Sequence, residues 1–161
     1  MNASVPLIYS PRPRIARLTP AARLVSLAVA VGCLGVFAAA VVINPDPKGV
    51  GTHHQLRLEP CGMLRRTGVP CPTCGMTTSV SWFVRGQFLG SLYVQPMGFV
   101  LAGLLAMTFW AALYNALTAR PVHRLLRSVP ARYYLVPLLA LAVLAWMWKI
   151  GIHTTGHDGW G

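Results

Sequence analysis

The residues of this chain with the most evident chemistry are the cysteines of Cys71-Pro72-Thr73-Cys74-Gly75, with a third cysteine, Cys61, upstream in the same polar segment. Two thiols separated by two residues can form a disulfide, exchange with other disulfides or bind a soft metal ion. A bridge from Cys61 to either later cysteine would close a loop of about a dozen residues and stabilise the fold by roughly 3 kcal/mol. The spacing alone leaves all three possibilities open.

A redox interpretation makes Cys71 the attacking thiol and Cys74 the resolving thiol, with Cys61 as a relay to a partner. The first thiol of such a motif at a helix start lies near unpaired amides and the helix dipole, which favour its thiolate. Thiol oxidoreductases usually carry the motif in a βαβ unit, and no strand pattern occurs in this sequence. A thioredoxin-like domain is therefore excluded.

A metal interpretation counts the same three cysteines as thiolate ligands and requires a fourth donor for a tetrahedral site. His54 is the candidate, since it precedes the cysteines in the same segment; His53, His153 and His157 are alternatives. A second Cys-x-x-Cys, which would make zinc the leading interpretation, does not occur. We therefore predict no cofactor, with zinc as an alternative.

The elements that position these thiols must lie in a membrane, because the chain is too apolar for an ordinary soluble domain. Of its 161 residues, 55 % are hydrophobic and 11 % are charged. In soluble domains about a quarter of all residues are charged. Residues 24–43, 97–117 and 133–152 each reach the length of about 20 residues that crosses a bilayer. Lys149 lies near the end of the third span, where we expect its side chain to extend to the headgroups.

Arginines predict the orientation of these spans, because positively charged flanks tend to stay in the cytoplasm. They precede the first span and fill the connection between the other two. We therefore predict a disordered basic cytoplasmic arm (1–23), one membrane domain (24–152) with an outer loop (44–95), and an extracytoplasmic tail (153–161). The net charge of +11 is explained by this topology and by attraction of the basic residues to anionic lipid. The sequence contains no nucleic-acid-binding module.

The first span also has features of a cleavable signal peptide, namely its basic flank and the Ala38-Ala39-Ala40 run, but its apolar run is longer than usual for one. We expect a retained anchor. Either outcome leaves the cysteines on the same side, in an oxidising compartment where disulfides persist. We therefore favour a disulfide from Cys61 to Cys71 or Cys74.

Two short helices are predicted in the outer loop, at the membrane interface. Residues 77–94 have a mixed rather than an apolar pattern, and Arg85-Gly86-Gln87 interrupts it before a second helix at 88–94. The first of these helices has a polar face at helical spacing, formed by Cys74, Thr78, Ser81 and Arg85.

Residues 61–77, followed by Gly86 and by Pro96 before the second span, resemble the family catalogued as domain of unknown function two-seven-five-two. The resemblance covers about residues 61–117 and implies a small multi-pass protein of a bacterial membrane. Family members commonly have arginine and asparagine where this chain has Thr78 and Gln95, and Arg85 is a possible substitute for that arginine. The resemblance implies no activity, cofactor or substrate.

Together these patterns predict an all-α integral membrane protein of the bacterial inner membrane, with three transmembrane helices and a cysteine-containing extracytoplasmic loop. The leading function is non-enzymatic: a disulfide-stapled loop that binds another membrane or envelope protein, besides the lipid bilayer. Thiol exchange and a metal site of three cysteines and one histidine are the alternatives. The residues predicted to form the surface are Cys61, Gly68, Cys71, Pro72, Cys74, Gly75, Thr77, Ser81 and Arg85.

Overall fold

A computed structural model describes residues 17–52, 55, 59, 61–120 and 130–160. Within these residues the chain is all-α and contains no strand. The predictions for residues 1–16, His53 and His54 lie outside the described part. The helices are α1 (Pro20–Val42), α2 (Gly62–Thr67), α3 (Met76–Val84), α4 (Phe88–Val94), α5 (Pro96–Thr118) and α6 (Arg132–Thr154).

The structure confirms three helices that are long and apolar enough to span a membrane. Each has 23 residues and is apolar enough to cross a membrane, with a mean hydropathy of 2.5 for α1, 1.8 for α5 and 2.0 for α6. At 1.5 Å per residue, such a helix is about 35 Å long, which exceeds the hydrocarbon core of about 30 Å. Large apolar side chains such as Leu24, Trp110 and Leu139 are exposed along them, as expected for contact with lipid.

The carboxyl end of α1 is closed by a side chain from the end of α3. The guanidinium of Arg85 donates hydrogen bonds to the carbonyls of Ala40 at 3.2 Å, Val41 at 2.9 Å and Ile43 at 2.9 Å. The last four carbonyls of a helix have no partner within the helix, so they need donors from elsewhere when water is excluded. Arg85 therefore fixes the short loop helices against the end of the first span.

A second arginine caps the carboxyl end of α5 in a similar way. Arg23, in the first turn of α1, donates from its Nε to the carbonyl of Ala116 near the carboxyl end of α5, at 2.9 Å. The backbone N–H of Leu18 donates to the carbonyl of Ala119, which follows α5, at 2.8 Å. These bonds place the start of α1 beside the end of α5, so the two spans are antiparallel.

The polar face of α3 points into the molecule. Ser81 is 0 % exposed, and the buried hydroxyl of Thr78 lies 2.6 Å from that of Thr52. Ser79 is also buried and donates to the carbonyls of Ser91 and Gln95. Lipid is an apolar solvent, so polar groups of a membrane protein are turned inward.

Lys149 corrects the expectation that its side chain extends to the headgroups. The ammonium is 0 % exposed, lies 3.0 Å from Asp158 Oδ1 and donates to the carbonyl of Gly49 at 3.3 Å. Asp158 also pairs with His153 Nδ1. Since a buried ammonium needs an anionic partner, the segment after α6 folds back onto the helix.

Indole N–H groups attach α6 to the segment between α1 and α5. Trp146 donates to the carbonyl of Pro70 at 2.9 Å, and Trp148 donates to the carbonyl of Tyr93 at 2.8 Å. Tryptophans near the end of a spanning helix are typical interface anchors. Here they also join the third span to the segment that carries the thiols.

Candidate metal centre

The three loop cysteines converge in space. The sulfur atoms of Cys61, Cys71 and Cys74 all lie within 4.8 Å of one another. All four cysteines of the chain are free, and the fourth, Cys33, is buried within α1. The Cys71 and Cys74 sulfurs are 3.2 Å apart, whereas a disulfide bond measures about 2.05 Å. Because Cys61 is among the free cysteines, the structure does not contain the predicted disulfide from Cys61 to Cys71 or Cys74.

Two tight reversals of the backbone bring these cysteines together. Cys61 directly precedes α2, and Gly68 ends that helix with a left-handed φ of 70°. The backbone N–H of Cys74 then donates to the carbonyl of Cys71 at 3.0 Å, which closes the turn of the motif. Gly75 follows with a φ of 84° at the start of α3. Glycine adopts positive φ without the steric cost that other residues meet.

The carbonyls on either side of Cys71 are held by distant side chains. Pro70 accepts the hydrogen bond from Trp146, and Pro72 accepts one from the Gln95 amide at 2.8 Å. Gln95 is 0 % exposed and directly precedes α5. Sequence reasoning did not assign either donor to the site. The sequence offered one indication for Gln95: it stands where members of the family described above commonly have asparagine, which carries the same amide on a shorter side chain.

Lys149 is a further residue that sequence reasoning did not assign to the site. A Cβ atom built on Gly75 would lie 3.4 Å from the Lys149 ammonium and 2.8 Å from the carbonyl oxygen of Gly49. The residue that follows Cys74 therefore has no room for a side chain. A buried positive charge lies beside the turn that carries two of the three thiols.

The environments of Cys61 and Cys74 shift their pKa values in opposite directions. The hydrogen bond from the backbone of Leu64 lowers the pKa of Cys61 from 9.0 to about 7. Burial raises the pKa of Cys74 to about 12, and the neighbouring thiol of Cys71 adds to this effect. Without a cation, Cys61 is therefore partly thiolate at neutral pH, while Cys74 stays protonated.

This difference predicts how Cys61 reacts in the metal-free, reduced protein. Because the thiolate is the reactive form, its alkylation rate is expected to reach half of its maximum near pH 7 in the folded protein, where the pKa of Cys61 is about 7. In the denatured protein the midpoint should lie near the ordinary value of 9.0. Iodoacetamide labelling followed by peptide mapping measures both profiles, and coincident midpoints would contradict the assignment.

The other predicted site residues lie at different depths. Pro72 is exposed, Thr77 is half-buried and Ser81 is buried. Thr73 places its hydroxyl 3.2 Å from the Cys71 sulfur. The histidine predicted as the fourth ligand, His54, lies outside the described residues, and His153 is paired with an aspartate.

A cavity of about 620 Å³ adjoins the thiols, and all three cysteines form part of its wall. The facing wall consists of residues from the carboxyl-terminal part of α1, including Val36 and Ala39, and of Ile43, which follows that helix. The thiol cluster is therefore reachable from a space beside the first span.

Comparison with protein families identifies the segment that carries this site. Residues 61–109 match the family described as protein of unknown function (DUF2752). This confirms the resemblance predicted from the sequence. No curated protein and no solved structure matches the chain.

The DUF2752 segment begins at Cys61 and ends within α5. It includes all three cysteines and Gln95, whose amide donates a hydrogen bond to the carbonyl of Pro72 in the motif. Trp146 and Lys149 belong to α6 and lie outside it. The contacts of the third span with the thiol turn are therefore supplied by a part of the chain that the DUF2752 match does not cover.

Proposed function

We propose that this protein is a non-enzymatic membrane protein whose outer loop is organised by a metal centre of three cysteines. The metal takes the role predicted for a disulfide, and the loop that it holds is a binding platform for another membrane or envelope protein. The observation that carries this proposal is the convergence of the Cys61, Cys71 and Cys74 sulfurs within 4.8 Å of one another.

The sulfur separations suit a thiolate-bound metal better than a single disulfide. Zn–S bonds of about 2.3 Å at tetrahedral angles place the sulfurs about 3.8 Å apart. The separation of 3.2 Å between Cys71 and Cys74, and the limit of 4.8 Å for the whole set, lie on either side of that value. Zinc is the first candidate because its structural sites commonly use cysteine alone or three cysteines with a histidine.

The three cysteines alone do not complete the coordination of a zinc ion. A tetrahedral site needs a fourth donor. His54 remains the donor proposed from the sequence.

The positions of the arginines support the proposed topology. On this proposal the protein lies in a bacterial inner membrane, the arm before α1 and the connection between α5 and α6 are cytoplasmic, and the thiol centre is extracytoplasmic. A bound metal would also protect thiolates in an oxidising compartment, because coordinated sulfur is not free to form disulfides. Labelling of intact cells with membrane-impermeant maleimide after metal chelation tests the side of the membrane.

Serine substitution of the cysteines tests the metal centre directly. The protein purified without chelators is expected to hold about one zinc ion per chain, measured by elemental mass spectrometry. Replacing Cys61, Cys71 or Cys74 by serine should weaken zinc binding at least about tenfold, because each removes one of the ligands that hold the ion. Cys33→Ser is the matched control and should keep its zinc. A folded protein that neither contains zinc nor takes it up would contradict the proposal.

Thiol exchange is the second candidate, favoured by the separation of 3.2 Å between the Cys71 and Cys74 sulfurs. In that reaction the Cys71 thiolate attacks a disulfide of a partner protein and releases one partner thiolate. Cys74 then gives its proton to the released partner thiolate and attacks the mixed disulfide, which leaves a Cys71–Cys74 disulfide and a fully reduced partner. Cys74→Ser should trap the mixed disulfide on this mechanism, whereas a metal centre predicts loss of zinc without trapped partners.

A further inference from the structure

The cavity beside the thiol centre has the size and composition of a ligand site. Its volume of about 620 Å³ falls within the range of about 300–1,000 Å³ that is typical of small-molecule pockets. The apolar part of its wall is formed by Val36, Ala39 and Ile43 on the side of α1, and by Met76 and Val80 of α3. The rest of the wall contains the three cysteines and the hydroxyl-bearing residues Thr73, Thr77 and Thr78.

Charge restricts what this cavity can hold. Among the described residues, no lysine, arginine, aspartate or glutamate side chain lines it. A carboxylate headgroup that entered would lose its hydration without a lysine or arginine side chain in the wall to pair with, which is costly in a medium of low polarity. The ligand that fits is therefore one without a carboxylate headgroup.

The position of the cavity indicates how a ligand would enter. Val36, which is 51 % exposed, and Ala39, which is also exposed, line it and belong to α1, a helix long and apolar enough to span a membrane. The exposed apolar surface of such a helix faces lipid. A ligand dissolved in the bilayer would therefore reach the cavity directly from the side of the first span.

The polar end of the cavity favours a headgroup that can both donate and accept hydrogen bonds. The hydroxyl groups of Thr73, Thr77 and Thr78 belong to residues that line this end, and each can donate or accept a hydrogen bond. A carbonyl headgroup only accepts, so it can use only a hydroxyl that donates. A hydroxyl headgroup can pair with a threonine hydroxyl in either role.

We propose that this cavity binds an uncharged lipid alcohol, with its hydrocarbon chain along α1 and its hydroxyl at the thiol end. This binding site goes beyond the metal-centre function and involves no covalent step. On this proposal the thiol loop forms part of a binding site for a specific lipid.

Photolabelling with a long-chain alcohol that carries a diazirine tests this proposal in protein reconstituted into phosphatidylcholine nanodiscs. Peptide mapping is expected to find the label on the end of α1 and on α3, and excess hexadecanol should reduce it at least about fivefold, because both alcohols fit the same apolar cavity. Palmitate, which has the same chain and a charged head, should not compete. Ala39→Phe fills the cavity and should also reduce labelling at least about fivefold.

Ala38→Phe is the matched control, because Ala38 is exposed on the same helix but does not line the cavity. Val36→Trp is a second cavity-filling variant, in case Ala39→Phe disturbs folding. Equal labelling of the cavity-filling and control variants, or equal competition by palmitate, would overturn the lipid site. Zinc content, measured on the same samples, separates the proposals: intact zinc without specific labelling refutes only the lipid site, and specific labelling without zinc refutes only the metal centre.

Discussion

Asp158→Asn is expected to lower the free energy of unfolding by about 3 to 5 kcal/mol, because it leaves a buried ammonium without its anionic partner. Lys149 is 0 % exposed and lies 3.0 Å from Asp158 Oδ1, and Asp158 itself is 15 % exposed. The carbonyl of Gly49 accepts a hydrogen bond from the ammonium but carries no full charge. The loss should therefore exceed that of an ordinary surface ion pair, which contributes about 0 to 1 kcal/mol.

Thermal unfolding in detergent, followed by circular dichroism, measures this effect. The double variant Lys149→Met with Asp158→Asn should be more stable than Asp158→Asn alone, because the buried charge is then absent. His157→Ala is the control: its side chain is exposed, and the contact of this residue with Tyr93 uses only its backbone carbonyl. If Asp158→Asn unfolded at the wild-type temperature, the ion pair would not hold the tail on α6.

Gly75→Ala is expected to disrupt the thiol centre as well as the fold around it. Its φ of 84° by itself costs a non-glycine residue about 1 to 2 kcal/mol. The added Cβ would also lie 2.8 Å from the carbonyl oxygen of Gly49, which is backbone and cannot swing aside. The motif turn must shift, and zinc affinity is expected to fall at least about tenfold, as for loss of a group that orients a ligand.

Gly86→Ala is the matched control for this prediction. Gly86 has a similar φ of 76°, but a Cβ added there meets nothing within 4 Å. It should therefore show the backbone strain alone, a loss of about 1 to 2 kcal/mol, and keep its zinc. Competition for zinc with a chromophoric chelator measures both affinities. Equal affinities of the two variants would show that close packing at Gly75 does not position the thiols.

The long apolar helices and the loop helices α3 and α4 were predictable because their signals are local. An apolar run of about 20 residues has few stable environments other than a bilayer, and all three such runs became helices of 23 residues. The break predicted at Arg85-Gly86-Gln87 separates α3 from α4, where Gly86 adopts a positive φ. Glycine adopts a positive φ without steric cost, so a glycine between two helical patterns is a local signal for such a break.

Partners of polar groups were not predictable, because they join residues far apart in the chain. The helical pattern places Arg85 on a polar face, but only the structure shows that it donates to the carbonyls at the end of α1. Trp146 matches the pattern of an interface anchor, yet it donates to Pro70 beside the motif. Spacing along one helix shows which side chains share a face, but not what that face meets.

The sequence by itself determined the three long apolar helices, two of the three loop helices and the identity of the three thiols, because apolar run length, helical spacing and cysteine chemistry are properties of the chain alone. It did not predict the short helix α2. Only the tertiary structure decided that the thiols converge as a set of three and that Lys149 turns inward to Asp158. The physical reason is that burial and pairing depend on which groups the packed helices bring within a few ångströms of one another.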